Sequence, residues 1–259
     1  MEIGQIKELS EILNNARDKV QGTEQLSKLY QMTAKDAYQV QELGIAYRQK
    51  NGEKLVGLKM GLTSKAKREQ MNLHSPLYGE LTDVMQLTPK ASTSLLPFIH
   101  PKIEPEVAYL VSEELSGRPT RQEVENACSA ACVAMEILDS RYTEFKYFSF
   151  EDVVSDNSSS CLFVLGPWHE DFREIDMANL DLKIKVNGKE EYKGNTKAIS
   201  GDPLMSVVEL VHLLDKNQRS LPAGSIVLAG AATAAIPLKS GMLVETMIDK
   251  LGSVELSFS

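Results

Sequence analysis

Residues 99–110 read Ile-His-Pro-Lys-Ile-Glu-Pro-Glu-Val-Ala-Tyr-Leu, and within them Glu104 and Glu106 stand two apart. In a strand that spacing turns both carboxylates to one face, which continues through the core-like Ala108 and Leu110. Pro101 and Pro105 argue for an edge or a bulge at this point. An E-x-E pair by itself is most often a solvated strand face. Two acids leading into a core face instead repel each other and lose hydration, so they need a positive partner. A third acid, Glu136, sits inside the apolar run Ala-Cys-Val-Ala-Met-Glu-Ile-Leu, and a buried glutamate is rare unless paired. Three inward carboxylates, in a chain whose four histidines form no close pair, suit a hard divalent ion with oxygen ligands, Mg2+ or Mn2+.

Lys59 lies in the otherwise apolar stretch Leu-Val-Gly-Leu-Lys-Met-Gly. It is either a surface lysine on an edge strand or a cation beside an anionic or carbonyl ligand, for which Gly57 on the same face leaves room. Asp156-Asn157-Ser158-Ser159-Ser160 is a polar cluster ahead of a strand and, read alone, a loop. Gly230-Ala231-Ala232-Thr233-Ala234-Ala235 is a run of small residues after a strand and, read alone, marks close packing. Cys128, Cys132 and Cys161 form no C-x-x-C pair and read as small apolar residues with reduced thiols.

These residues must be held by elements that the hydropathy pattern outlines. Helices are expected over 4–19, from Thr33 to a stop at Asn51-Gly52, and over 64–71. A strand is expected over 54–60. Thr120 and Glu123 have capping-box spacing and open a helix expected through Ala131. Residues 133–139 either finish that helix or begin a strand. Further strands are expected over 102–111, 161–166, 181–187, 225–230 and in the final VELSF, with Asn187-Gly188 as a hairpin turn. A last helix is expected over 204–216, after Gly201-Asp202-Pro203. The fold class is therefore α+β, a helical N-terminal region with one strand (1–76) and a β-rich catalytic domain (77–259).

The whole chain sets limits on partners. It has 259 residues, enough to bury a core without disulfides or structural metals. A net charge of −8 argues against nucleic-acid and anionic-membrane surfaces, and any anion site must be made locally. No apolar run approaches membrane-helix length, and no export signal is visible, so a cytoplasmic protein is expected.

One series of segments is specific in combination: GLKMGLTSKAKREQM, SPLYGELTD, HPKIEPEVAYL, AMEILDSRY, DVVSDNSSSCLFVLG, GNTKAISGDP and LPAGSIVLAGAATAAIPLKSG, with LGSVELSF at the end. In order and across nearly the whole chain, it resembles the 2-hydroxypentadienoate hydratase and 4-oxalocrotonate decarboxylase family of the fumarylacetoacetate hydrolase superfamily. The resemblance implies a mixed β-roll core and Mg2+ held by Glu104, Glu106 and Glu136. It implies Lys59 and Ser159 as catalytic residues, and Lys59, Leu73, Asp156, Ser159, Thr196 and Thr233 as substrate-binding residues. Arg141-Tyr142, Phe145-Lys146-Tyr147 and Gly230–Ala235 look like the decarboxylase branch, although Ser155 and Ser158 stand where alanines are usual beside D-N. The implied reaction is metal-dependent decarboxylation of 2-oxohex-3-enedioate to 2-hydroxypenta-2,4-dienoate. Hydration of that dienol, or another lyase or hydrolase reaction of the superfamily, is the alternative. A homo-oligomer, and a complex with the hydratase that consumes the product, are the partners this resemblance implies.

Overall fold

Thr33 and Asp36 close a capping box, with Thr33 Oγ1 accepting from the Asp36 N–H at 3.2 Å and the Asp36 carboxylate accepting from the Thr33 N–H at 2.8 Å. That box starts α2 (Ala34–Lys50), which packs on α1 (Ile3–Asp18) through a small core of its own. Ile6, Leu9, Leu13 and Val40 meet there with Tyr142, which comes from the far side of the chain. The structure, a computed structural model, describes residues 1–64, 68–69, 75–147 and 149–259. Most of the helix expected over 64–71 falls outside them, as does Leu73.

The strands form two mixed sheets. The larger has the order β2-β1-β10-β5-β6-β7-β3, where β1 is Leu55–Gly61, β2 Leu77–Thr82, β3 Gln86–Leu87, β5 Lys102–Val111, β6 Cys128–Leu138, β7 Ser160–Leu165 and β10 Ile226–Ala231. A short β11 (Ile236–Pro237) pairs with the start of β5. The smaller sheet runs β4-β13-β12-β8-β9, with β4 at Ser92–Thr93, β8 Asp181–Val186, β9 Lys189–Asn195, β12 Leu243–Ile248 and β13 Gly252–Phe258. β12 and β13 pack on β6 and close the main core between the sheets. Each Leu or Ile buried in that core contributes about 1.5–3 kcal/mol. The Asn187-Gly188 turn joins β8 to β9 as expected, with both residues at positive φ. The helix α4 (Pro203–Lys216) is capped by Asp202, which accepts from the Leu204 N–H at 2.9 Å, and packs against β10, β1 and β2.

Two expectations need correction. The helix opened by Thr120 ends at Ala127 (α3, Arg121–Ala127), and residues 128–131 are strand. Hydrogen bonding to β5 along β6, and to β7 along its second half, overrides the helical propensity of the alanines there. The open position beside Gly57 is also filled. A Cβ added there would lie 1.9 Å from the Ile226 carbonyl oxygen, so Gly57 permits close strand approach and not ligand access. β1 is an interior strand of the larger sheet, between β2 and β10.

Candidate active site

The strand register brings the acids together. β5 and β6 are antiparallel with Glu104 directly opposite Glu136, and Glu106 follows on the same face of β5. Carboxylate oxygens of the three lie within 4.8 Å of one another. Glu106 and Glu136 are fully buried, and Glu104 is half-buried at the mouth. Beyond them, as expected, Ala108 is buried in a second apolar cluster with Leu228, Cys132 and Phe163.

Lys59 reaches this cluster from β1 and is 3% exposed. Its Nζ is 2.9 Å from Glu136 Oε2, and it donates to Ser158 O at 3.3 Å and Ser158 Oγ at 3.4 Å. Burial works against its ammonium, but Glu136, Glu106 and Glu104 outweigh that cost and hold its pKa above the ordinary lysine value. Burial, then Glu136, pushes the Glu106 carboxyl well above the usual carboxylate range, although Lys59 and a backbone N–H pull it back. Lys59 thus does not fully offset the burial of Glu106.

Unsatisfied oxygens mark what is missing. Glu106 Oε2 accepts from the Gly230 N–H at 2.8 Å, whereas Glu106 Oε1 has no hydrogen-bond partner among the described residues. Glu136 Oε1 accepts from Ser160 Oγ at 2.7 Å, and Oε2 faces Lys59 as an ion pair without an aligned hydrogen bond. Buried carboxylate oxygens left in this state are costly in apolar surroundings. A divalent cation among them supplies the missing charge and accepts all three oxygens, so the donor set fits Mg2+ or Mn2+.

The neighbouring backbone is shaped to permit this. Gly230 has φ +110° at a bulge of β10, and a Cβ there would be 2.5 Å from Thr63 Oγ1. Opposite, Asn157, Ser158 and Ser159 have φ of 50°, 55° and 56°, three successive left-handed non-glycine residues. Asn157 clamps this turn to β2, accepting from the Glu80 N–H at 2.7 Å and donating to the Glu80 carbonyl at 2.9 Å. Behind it the buried Arg141 pairs with Asp156 and donates to Asp139 O at 2.6 Å and Ser160 O at 3.1 Å. Burial raises the Asp156 carboxyl to about 6, against the pull of Arg141.

A cleft of about 290 Å³ opens over this group, lined among others by Lys59, Lys102, Glu104, Phe145, Tyr147 and Ser159. Lys59 and Ser159 are therefore at one site with the acids. Asp156 is not on the cleft wall. It lies behind the turn, bordering a second cavity of about 230 Å³ under α1 and α2, with Ser159 Oγ 3.4 Å from its Oδ2. Thr196 is not on the cleft wall either. Its hydroxyl donates to Met177 O at 2.8 Å and accepts from the Leu180 N–H at 2.9 Å, a structural pattern. Thr233 sits just past β10 and donates to Ala234 O at 3.2 Å, also away from the described lining. Sequence reasoning missed Ser160, Ser158 and the Gly230 N–H. The adjacent polar cluster and the glycine in a small-residue run were the available signals.

The chain belongs to the fumarylacetoacetate hydrolase family: the family described as fumarylacetoacetate (FAA) hydrolase C-terminal matches residues 58–258. Within that family it is similar to a 4-oxalocrotonate decarboxylase of a Pseudomonas species, 40% identical over 98% of this chain and 97% of the relative. The solved 4-oxalocrotonate decarboxylase from Pseudomonas putida G7, complexed with magnesium and adipate, superposes with a TM-score of 0.95 at 34% identity, covering 100% of this chain and 99% of that one. A 2-hydroxyhexa-2,4-dienoate hydratase of Comamonas testosteroni is 31% identical over 88% of each chain.

Proposed function

We propose that this chain is a carboxy-lyase that converts 2-oxohex-3-enedioate (4-oxalocrotonate) to 2-hydroxypenta-2,4-dienoate and CO2, with Mg2+ as cofactor, in the breakdown of aromatic compounds. One observation favours this over hydration: the decarboxylase relative matches 98% of the chain, against 88% for the hydratase. Glu104, Glu106 and Glu136 would hold the metal, which when bound supplies Lewis-acid polarisation of the substrate's 2-oxo group. Three glutamates and one Mg2+ leave a single negative charge, which Lys59 cancels, so the site receives a dianion without net repulsion.

The substrate is a vinylogous β-keto acid. The bond to the distal carboxylate breaks, its electron pair shifts through the double bond, and charge collects on the 2-oxo oxygen. Lys59, protonated and buried beside Glu136, would sit near the 2-oxo oxygen, and its attraction would increase along the reaction. Ser159, on the cleft wall, would hydrogen-bond the substrate carboxylate. The Arg141–Asp156 pair positions the turn that carries it. Loss of CO2 leaves the dienolate, and protonation of its oxygen gives the dienol product.

The decisive experiment offers 2-oxohex-3-enedioate and Mg2+ to the pure protein and follows CO2. Stoichiometric CO2 with accumulating dienol supports the proposal, and hydration of added dienol without CO2 release points to the hydratase reaction. The protein is further proposed to be a cytoplasmic homo-oligomer that associates with the hydratase using its product. Among the described residues no helix is long and apolar enough to cross a membrane. Co-purification of the two chains tests the association.

A further inference from the structure

We infer that Lys102 selects for substrates with a second carboxylate, by pairing with the distal carboxylate that leaves as CO2. The inference rests on the reaction proposed above and assigns a residue to the other end of the substrate. Lys102 opens β5, and strand alternation places it on the face of Glu104 and Glu106. Two residues of strand set its Cα about 7 Å from that of Glu104. That distance is comparable to the span of an extended chain from a chelating 2-oxo acid to a carboxylate four carbons away.

The cleft supports this placement. Lys102 lines it and is half-buried, opposite Leu138 in register. Its Nζ lies 4.0 Å from the centre of the Phe145 ring and 3.5 Å from the Phe145 carbonyl oxygen, which holds it against the wall. Among the described residues no carboxylate forms an ion pair with it. Lys146 lines the same cleft but is 57% exposed and is paired with Glu144. With Lys59 at the metal end, Lys102 is, among the described lining residues, a cation without a carboxylate partner, open to the second charge.

The direction of charge flow separates the two lysines. As CO2 leaves, the distal carboxylate loses its charge, so the bond to Lys102 weakens while the bond to Lys59 strengthens. Lys102 therefore acts on affinity and Lys59 on rate. Lys102→Met raises KM with little loss in kcat.

The test is binding of two unreactive saturated acids, 2-oxohexanedioate and 2-oxohexanoate, by calorimetry with Mg2+. The wild-type protein is expected to prefer the diacid. Lys102→Met should reduce that preference roughly fivefold or more while leaving the monoacid unchanged. Lys102→Arg should restore it, and Lys146→Met should keep it. A merely structural Lys102 would weaken both acids equally, and that result overturns the inference. So does a wild type without preference, or a Lys102→Met protein that retains it. Binding of both acids independently of Mg2+ tells against the proposed reaction, while the diacid preference and its loss in Lys102→Met still decide the role of Lys102.

Discussion

Arg141 with Asp156 and Lys59 with Glu136 are both buried ion pairs, and they lie on either side of the turn at 157–159. In the first, the guanidinium donates to Asp156 and to the carbonyls of Asp139 and Ser160, while the carboxylate also accepts from the Arg141 N–H at 3.1 Å. Every strong donor has an acceptor. In the second, the Lys59 ammonium sits against Glu136 with Glu106 beside it, and a buried oxygen of Glu106 has no partner among the described residues. A saturated pair fixes a shape. An under-satisfied one leaves capacity for a ligand, and its cost is recovered when the ligand arrives.

Substitutions should separate the two pairs. The largest effect is expected from Arg141→Leu, which leaves Asp156 buried without its cation and should cost about 3–5 kcal/mol of stability. Changing both partners to leucine should recover much of that loss, as chemical denaturation would show; equal instability of single and double variants would break the contrast. Lys59→Met comes next, lowering the turnover number about 10²–10³-fold, by analogy with loss of one oxyanion-hole donor. Stability without metal should fall, because buried Glu136 and Glu106 lose a cation, while the rise in melting temperature on adding Mg2+ should persist. Near-normal turnover would remove Lys59 from the chemistry. Glu136→Gln should weaken Mg2+ binding by at least about 100-fold, the upper range for loss of a supporting group around a metal. Calorimetric titration reads this directly, and the metal-free protein should be no less stable, because repulsion among the acids is relieved.

The smallest effect concerns a pair far from the site. The Met1 ammonium and Thr33 hold Asp36 at about 2, below the ordinary aspartate value. A depressed carboxylate contributes stability that is present above its unfolded pKa and lost as pH falls through its folded value. Asp36→Asn should therefore lower stability by about 1 kcal/mol at neutral pH, the size of a lost helix cap. The difference from wild type should shrink between pH ~4 and ~2. A constant difference down to pH 2 would show that the charge is not the cause.

Much of this was legible in the chain. The E-x-E spacing and the isolated Glu136 identified the acids, since period-two alternation needs only local sequence. β6 was ambiguous by hydropathy, yet its large residues Val133, Met135 and Ile137 alternate with Cys132, Ala134 and Glu136, which is a strand pattern. β12 was missed because its exposed positions include Leu243 and Met247, which hides the alternation with buried Val244, Thr246 and Ile248. Ser160, Ser158 and the Gly230 N–H act through contacts between segments 24 to 124 positions apart in the chain. No local pattern encodes those, and the small-residue run around Gly230 looks the same whether it meets another strand or a carboxylate.

The clamp between Asn157 and Glu80 joins positions 77 apart in the chain, Lys59 and Ser158 are separated by 99, and Gly230 and Glu106 by 124. No supersecondary unit contains even two of these pairs, so no single hairpin or helix–strand unit assembles the site in miniature. The chemistry belongs to the completed topology, and an intact binding site is a certificate that strands far apart in the chain have found their places in the larger sheet.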